Sequence, residues 1–102
     1  MKVELCKSED VPAEGTVVLP FFGKEVHVWR DSKGRARAAA NTCLHFGGPL
    51  EARGCQLVCP WHGAAYDLET GVKIDGPGRS DAKLLFLSTC EEDGALNYVW
   101  GE

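Results

Sequence analysis

Apolar and polar positions along the chain fall into short runs with a period of two, broken by turn residues, and no stretch sustains a helical period. Thr16–Pro20 (TVVLP) is apolar and β-branched. Glu25–Arg30 (EVHVWR) alternates, with Val26 and Val28 on one face and His27 and Trp29 on the other. The turn sequence DSKG over Asp31–Gly34 then leads into Arg35–Ala40, so these two runs read as a hairpin. Gln56–Val58 and Ala64–Leu68 are further short runs. Leu84–Thr89 and Leu96–Trp100 are joined across Glu91–Gly94 (EEDG), a second hairpin signal. The sum is an all-β domain of eight or nine strands. Trp29 and Trp100 read as core, and Cys6 and Cys90 as small buried residues of terminal strands. His27 reads as a plain strand histidine.

Glycine and proline cluster at Gly47-Gly48-Pro49, at Pro60 and Gly63, and at Gly76-Pro77-Gly78. This divides a single domain, 1–102, into a strand scaffold (1–40 and 79–102) and a loop-rich insert (41–78). At 102 residues the chain can bury only a small core, which a metal centre would supplement. The formal net charge of −4 argues against a non-specific nucleic-acid binder, which needs a basic surface. No apolar run approaches the ~20 residues of a membrane span. The N-terminal MKVELCKSEDVPAEG has no apolar leader core, so the expected location is cytoplasmic. Five cysteines cannot pair completely, so ligand or free-thiol roles come first in a reducing compartment.

The insert carries two mixed dyads, Cys43-x-His45 and Cys59-x-x-His62. Thiolate and imidazole are soft-to-borderline ligands, suited to zinc, copper or iron–sulfur centres and unsuited to magnesium or calcium. Four such ligands can close a tetrahedral zinc site. They can equally divide between two irons of a 2Fe–2S cluster, thiolates on one and imidazoles on the other. A zinc finger pairs Cys with Cys and His with His. A split cluster held between two loops takes one thiolate and one imidazole from each loop, which is the order found here.

CLH, then CPWHG and AYDLETG, together resemble a Rieske 2Fe–2S protein, and the resemblance runs over most of the chain. It implies an antiparallel β-sandwich with a loop-rich cluster-binding subdomain at one tip. It also implies Cys43 and Cys59 as ligands of one iron, and His45 and His62 as ligands of the outer iron. Around them, Tyr66 would bond a ligand sulfur and Gly63 would let backbone N–H groups approach sulfur. Trp61 would shield the cluster or dock a partner, and Pro49, Leu50 and Pro77 would exclude water. Two cysteines that bridge the loops in membrane-bound relatives are Gly48 and Trp61 here, and a serine that bonds a bridging sulfide is Ala64. Both departures point to a soluble Rieske-type ferredoxin, with a potential in the lower half of the roughly −150 to +300 mV Rieske range. Only thirteen residues separate His45 from Cys59, fewer than the family usually has, which shortens a turn near Ala52–Gly54.

The function implied is a one-electron carrier, not itself an enzyme, between a flavin-containing reductase and a terminal oxygenase. Once the ligands are assigned only His27 remains, so a second, mononuclear iron site cannot be assembled. The alternatives are a small Rieske subunit of a larger oxidoreductase, such as assimilatory nitrite reductase, and a structural zinc module.

Overall fold

The structure, a computed structural model, describes residues 1–41, 50–60, 63–76 and 83–100. Ten strands and one short 3-10 turn at Ser8–Asp10 make up the described regular structure. All strand pairings are antiparallel, as expected for the β-sandwich class. The first sheet has the order β1 (Lys2–Lys7), β10 (Ala95–Val99), β9 (Thr89–Glu92). The second is β2 (Val17–Phe21), β3 (Lys24–Arg30), β4 (Ala36–Ala40). The third runs β5 (Glu51–Arg53), β6 (Gln56–Val58), β7 (Ala65–Asp67), β8 (Lys73–Asp75) and lies wholly within the stretch expected to be rich in loops.

The alternation of Glu25–Arg30 decides how the layers stack. Val26 and Val28 pair with Ala40 and Ala38, so these four residues share one face of the second sheet. On that face Val26, Val28, Ala36 and Ala38 meet Val11 and Leu96. The opposite face presents Trp29 and Ala39 to Leu50, Leu57, Cys59, Tyr66, Leu68 and Leu84 of the third sheet and its flanks. The second sheet is therefore buried on both sides, and the four-stranded sheet packs on the His27/Trp29 side. Pro20 interrupts no ladder, because β2 is an edge strand and needs no outward N–H.

Two hairpins close on left-handed pairs of residues. Asp93 and Gly94 both take positive φ (53° and 77°), the left-handed pair of a two-residue turn whose twist matches the strands. Phe22 and Gly23 do the same between β2 and β3. Arg30 joins the first two sheets, donating Nη1–H and Nη2–H to the two carboxylate oxygens of Glu91, each at 3.1 Å. It also donates to the Ser8 carbonyl at 3.0 Å. The Arg30 bond holds the Glu91 carboxyl below its ordinary value.

Several expectations need correction. The run Leu84–Thr89 is not a strand: Phe86 makes one bridge to Ala39, and the ladder begins only at Thr89. Leu84 is buried while Leu85 is 63% exposed, so this segment lies along β4 and feeds side chains into the cores without a continuous partner. Trp100 is 37% exposed and stacks on Tyr98, so it is a surface residue and not core. Cys90 is exposed and Cys6 only half-buried, and both are free thiols on strands separated by β10. Lys2–Lys7, Glu51–Arg53 and Lys73–Asp75 form strands that the apolar pattern does not announce.

Candidate metal centre

The hairpin β6–β7 presents the second dyad. After Val58 pairs with Ala65, the Cys59 N–H donates to the Ala64 carbonyl at 2.8 Å, extending the ladder by one step. The Gly63 N–H then donates back to the Cys59 carbonyl, also at 2.8 Å. Gly63 takes φ +81°, a conformation that favours glycine. Cys59 and Ala64 at the base of this loop are fully buried, and Tyr66 is 1% exposed in the same apolar cluster.

Gly76 is seated against this hairpin. The backbone of Gly76, just past β8, approaches so closely that a β-carbon on it would lie 2.5 Å from Ala64 Cα and 2.8 Å from the Gly63 carbonyl oxygen. Gly76 also has φ +97°, so glycine is required there twice over. Gly76 is in this way packed on the hairpin that carries Cys59.

Of the site residues expected from sequence, the structure brings together Cys59, Gly63, Leu50 and Tyr66. Leu50 is 4% exposed and shares the apolar cluster with Cys59 and Tyr66. Cys43, His45, Pro49, Trp61, His62 and Pro77 lie outside the described residues. Among the described residues no three Cys, His, Asp or Glu groups gather into a metal site. The remaining thiols are poor candidates. Burial pushes the Cys6 thiol up, and Cys55 is exposed in the Gly54–Cys55 turn between β5 and β6. That turn sits at the expected shortened segment, one residue later than predicted. A buried, unbridged thiol at Cys59 on a glycine-closed loop, with two imidazoles and a second thiol in the dyads, suits an iron–sulfur centre.

One residue was missed by sequence reasoning. His27 is 2% exposed and bonds to Thr16, Asn41 and Leu50, the last two bracketing the segment that carries Cys43 and His45. Its partners lie 11 to 23 residues away, so no local pattern reveals them.

Comparison with known proteins agrees with this chemistry. The family model of the Rieske [2Fe-2S] domain matches residues 1–88. The oxidoreductase NdmD of Pseudomonas putida is 32% identical over 81 residues, which cover 76% of this chain and 14% of that protein. The Sphingomonas yanoikuyae B1 ferredoxin superimposes with a TM-score of 0.79 at 21% identity, covering 99% of this chain and 100% of that one. A chain of the reduced oxygenase–ferredoxin complex of carbazole 1,9a-dioxygenase gives 0.78 at 21% identity, covering 95% of this chain and 27% of that one. With the family model spanning most of its length, the chain belongs to the Rieske 2Fe–2S domain family, and its cofactor is a Rieske-type 2Fe–2S cluster.

Proposed function

We propose that this chain is a one-electron carrier of an oxygenase system, with Cys43 and Cys59 holding one iron of the cluster and His45 and His62 the other. The observation that carries the reading is the donor inventory. Two mixed dyads account for two of the three histidines, and the third, His27, is already bonded to Thr16, Asn41 and Leu50. No histidine is left for a mononuclear iron or for acid–base work on a substrate, so the protein is read as a carrier and not itself an enzyme.

When bound, the cluster takes up and returns a single electron. The chain's own residues set the conditions for this. Leu50, Leu57 and Tyr66 pack around Cys59 and keep water from the thiolate side. The short bonds between Cys59 and residues 63–64 fix the loop, so little reorganisation accompanies a change of charge. Gly76 packs against Ala64 and fixes the end of β8 on this hairpin. The electron donor is read as a flavin-containing reductase and the acceptor as a terminal oxygenase. The chain is read as one Rieske domain, 1–102, with 41–78 as its cluster-binding part. No helix among the described residues is long and apolar enough to cross a membrane. The free thiols at Cys6, Cys55 and Cys90 support a reducing, cytoplasmic setting.

A second reading has support in the relatives' lengths. The chain spans only 14% of NdmD, so the same domain also occurs inside larger oxidoreductases. The test is reconstitution. Purified protein mixed with a flavin reductase and NADH is expected to be reduced by one electron per chain and to pass it to a terminal oxygenase. Tight co-purification with a large subunit, and no turnover as a separate component, would favour the subunit reading instead.

A further inference from the structure

Cys43 and His45 are bracketed in the chain by Asn41, just after β4, and Leu50, just before β5. Both ends meet on one buried imidazole. His27 Nε2 lies 2.9 Å from Asn41 Oδ1 and 2.9 Å from the Leu50 carbonyl oxygen. Asn41 Oδ1 also accepts the Leu50 backbone N–H at 2.8 Å, which fixes the orientation of that amide: an NH2 group there would have nothing to accept with. Both neighbours of Nε2 are therefore acceptors, and Nε2 must carry the proton. Nδ1 is hydrogen-bonded to the Thr16 hydroxyl, 2.8 Å away. The amide is held from its other side, with Asn41 Nδ2–H donating to the Glu25 carboxylate at 3.2 Å and the Asn41 N–H to the Glu25 carbonyl at 2.9 Å.

This arrangement is more than a satisfied core histidine. A buried polar group needs only some partner, whereas these partners are the two residues that bracket a ligand loop. Loss of the imidazole would leave the Leu50 carbonyl short of a donor, and would leave Asn41 Oδ1 with only the Leu50 N–H. An unpaired buried acceptor carries a penalty that favours opening toward water. Opening here separates Asn41 from Leu50.

We infer that His27 is a positioning residue for the cluster: it clamps Asn41 to Leu50, the two residues that bracket Cys43 and His45 in the chain. The inference rests on the reading of Cys43 and His45 as ligands. It predicts that His27 governs how long the cluster is kept, beyond its share in overall stability.

The test compares four loaded proteins: the parent, His27→Gln, His27→Leu and Leu96→Val. Gln can donate to both acceptors, and Leu to neither. Leu96 is buried in the other core, away from the loop, and controls for general destabilisation. Cluster loss to an iron chelator is followed by visible absorbance well below the melting temperature, and Leu50 amide hydrogen exchange is read alongside. His27→Leu is expected to lose the cluster at least tenfold faster than the parent and to expose the Leu50 amide. His27→Gln should stay within threefold of the parent, and Leu96→Val should leave both readouts near parent values. Equal loss rates and equal Leu50 protection in the parent, His27→Leu and Leu96→Val would overturn the inference. Should His27→Leu fail to fold, Asn41→Leu removes the same clamp from the other side and must give the same acceleration. A parent that holds no 2Fe–2S cluster would sink the ligand reading alone, since Leu50 exchange still decides whether the clamp exists.

Discussion

Gly76 lies against Ala64 so closely that a β-carbon at Gly76 would stand 2.5 Å from the Ala64 α-carbon. Gly76, just past β8, and the hairpin bearing Cys59 are thus packed backbone to backbone, with no room for a side chain at Gly76. Gly76→Ala is therefore expected to destabilise by about 3 kcal/mol or more, combining overpacking with left-handed strain. Gly94→Ala is the matched control. It shares the positive φ, at +77°, but a β-carbon there meets nothing within 4 Å, so about 1 kcal/mol is expected. Urea unfolding of the two variants checks the difference, and equal losses would mean that the close approach does not hold Gly76 on the hairpin.

Substitutions at Tyr66 and Ala64 are expected to move the potential in opposite senses. Tyr66 is buried in the cluster that contains Cys59, and its hydroxyl is expected to bond a ligand sulfur. One hydrogen bond of about 1–1.5 kcal/mol corresponds to roughly 40–65 mV for one electron. Tyr66→Phe should lower the midpoint by that amount. Ala64→Ser, which restores a hydroxyl toward a bridging sulfide, should raise it by a similar amount. Protein-film voltammetry reads both, and an unchanged midpoint in Tyr66→Phe contradicts the assigned bond.

Acid should weaken the second sheet through Asp31. Burial works against its charge and is outweighed by N–H groups of Arg35 and Lys33 at 3.0 and 2.9 Å and by the Arg35 guanidinium, so its carboxyl titrates below the ordinary 3.8. A depressed folded-state pKa means that the stabilisation is complete above the unfolded value, near 4, and is lost as pH falls through the lower folded value. Asp31→Asn should lower the melting temperature by a few degrees at pH 7 and flatten its fall in acid below about pH 4. Parallel pH profiles for parent and variant would show that Asp31 does not carry this dependence.

β3 and β4 were legible because Glu25–Arg30 alternates and is followed by a turn sequence, and β10 because it follows the left-handed dipeptide Asp93-Gly94, whereas β9 fell partly in the stretch expected to be turn. β5 and β8 were not, since Glu51–Arg53 and Lys73–Asp75 are short and polar edge strands, defined by their neighbours more than by their own residues. Leu84–Ser88 misled in the other direction. Its apolar residues face two separate cores, Leu84 and Phe86 one and Leu87 the other, so an apolar run did not mean a ladder. The dyads announced the cofactor because ligand type and spacing are local. His27 escaped notice because its role depends on register: pairing with Ala39 in β4 puts it beside Asn41 and Leu50.

The ligand set is the central claim, and pulsed electron paramagnetic resonance of the dithionite-reduced protein, grown with 15N-histidine, tests it most directly. Two strongly coupled histidine nitrogens are expected, one from His45 and one from His62, with one lost in each of His45→Cys and His62→Cys. A reduced 2Fe–2S signal with no strong nitrogen coupling would mean all-thiolate ligation and would contradict the account.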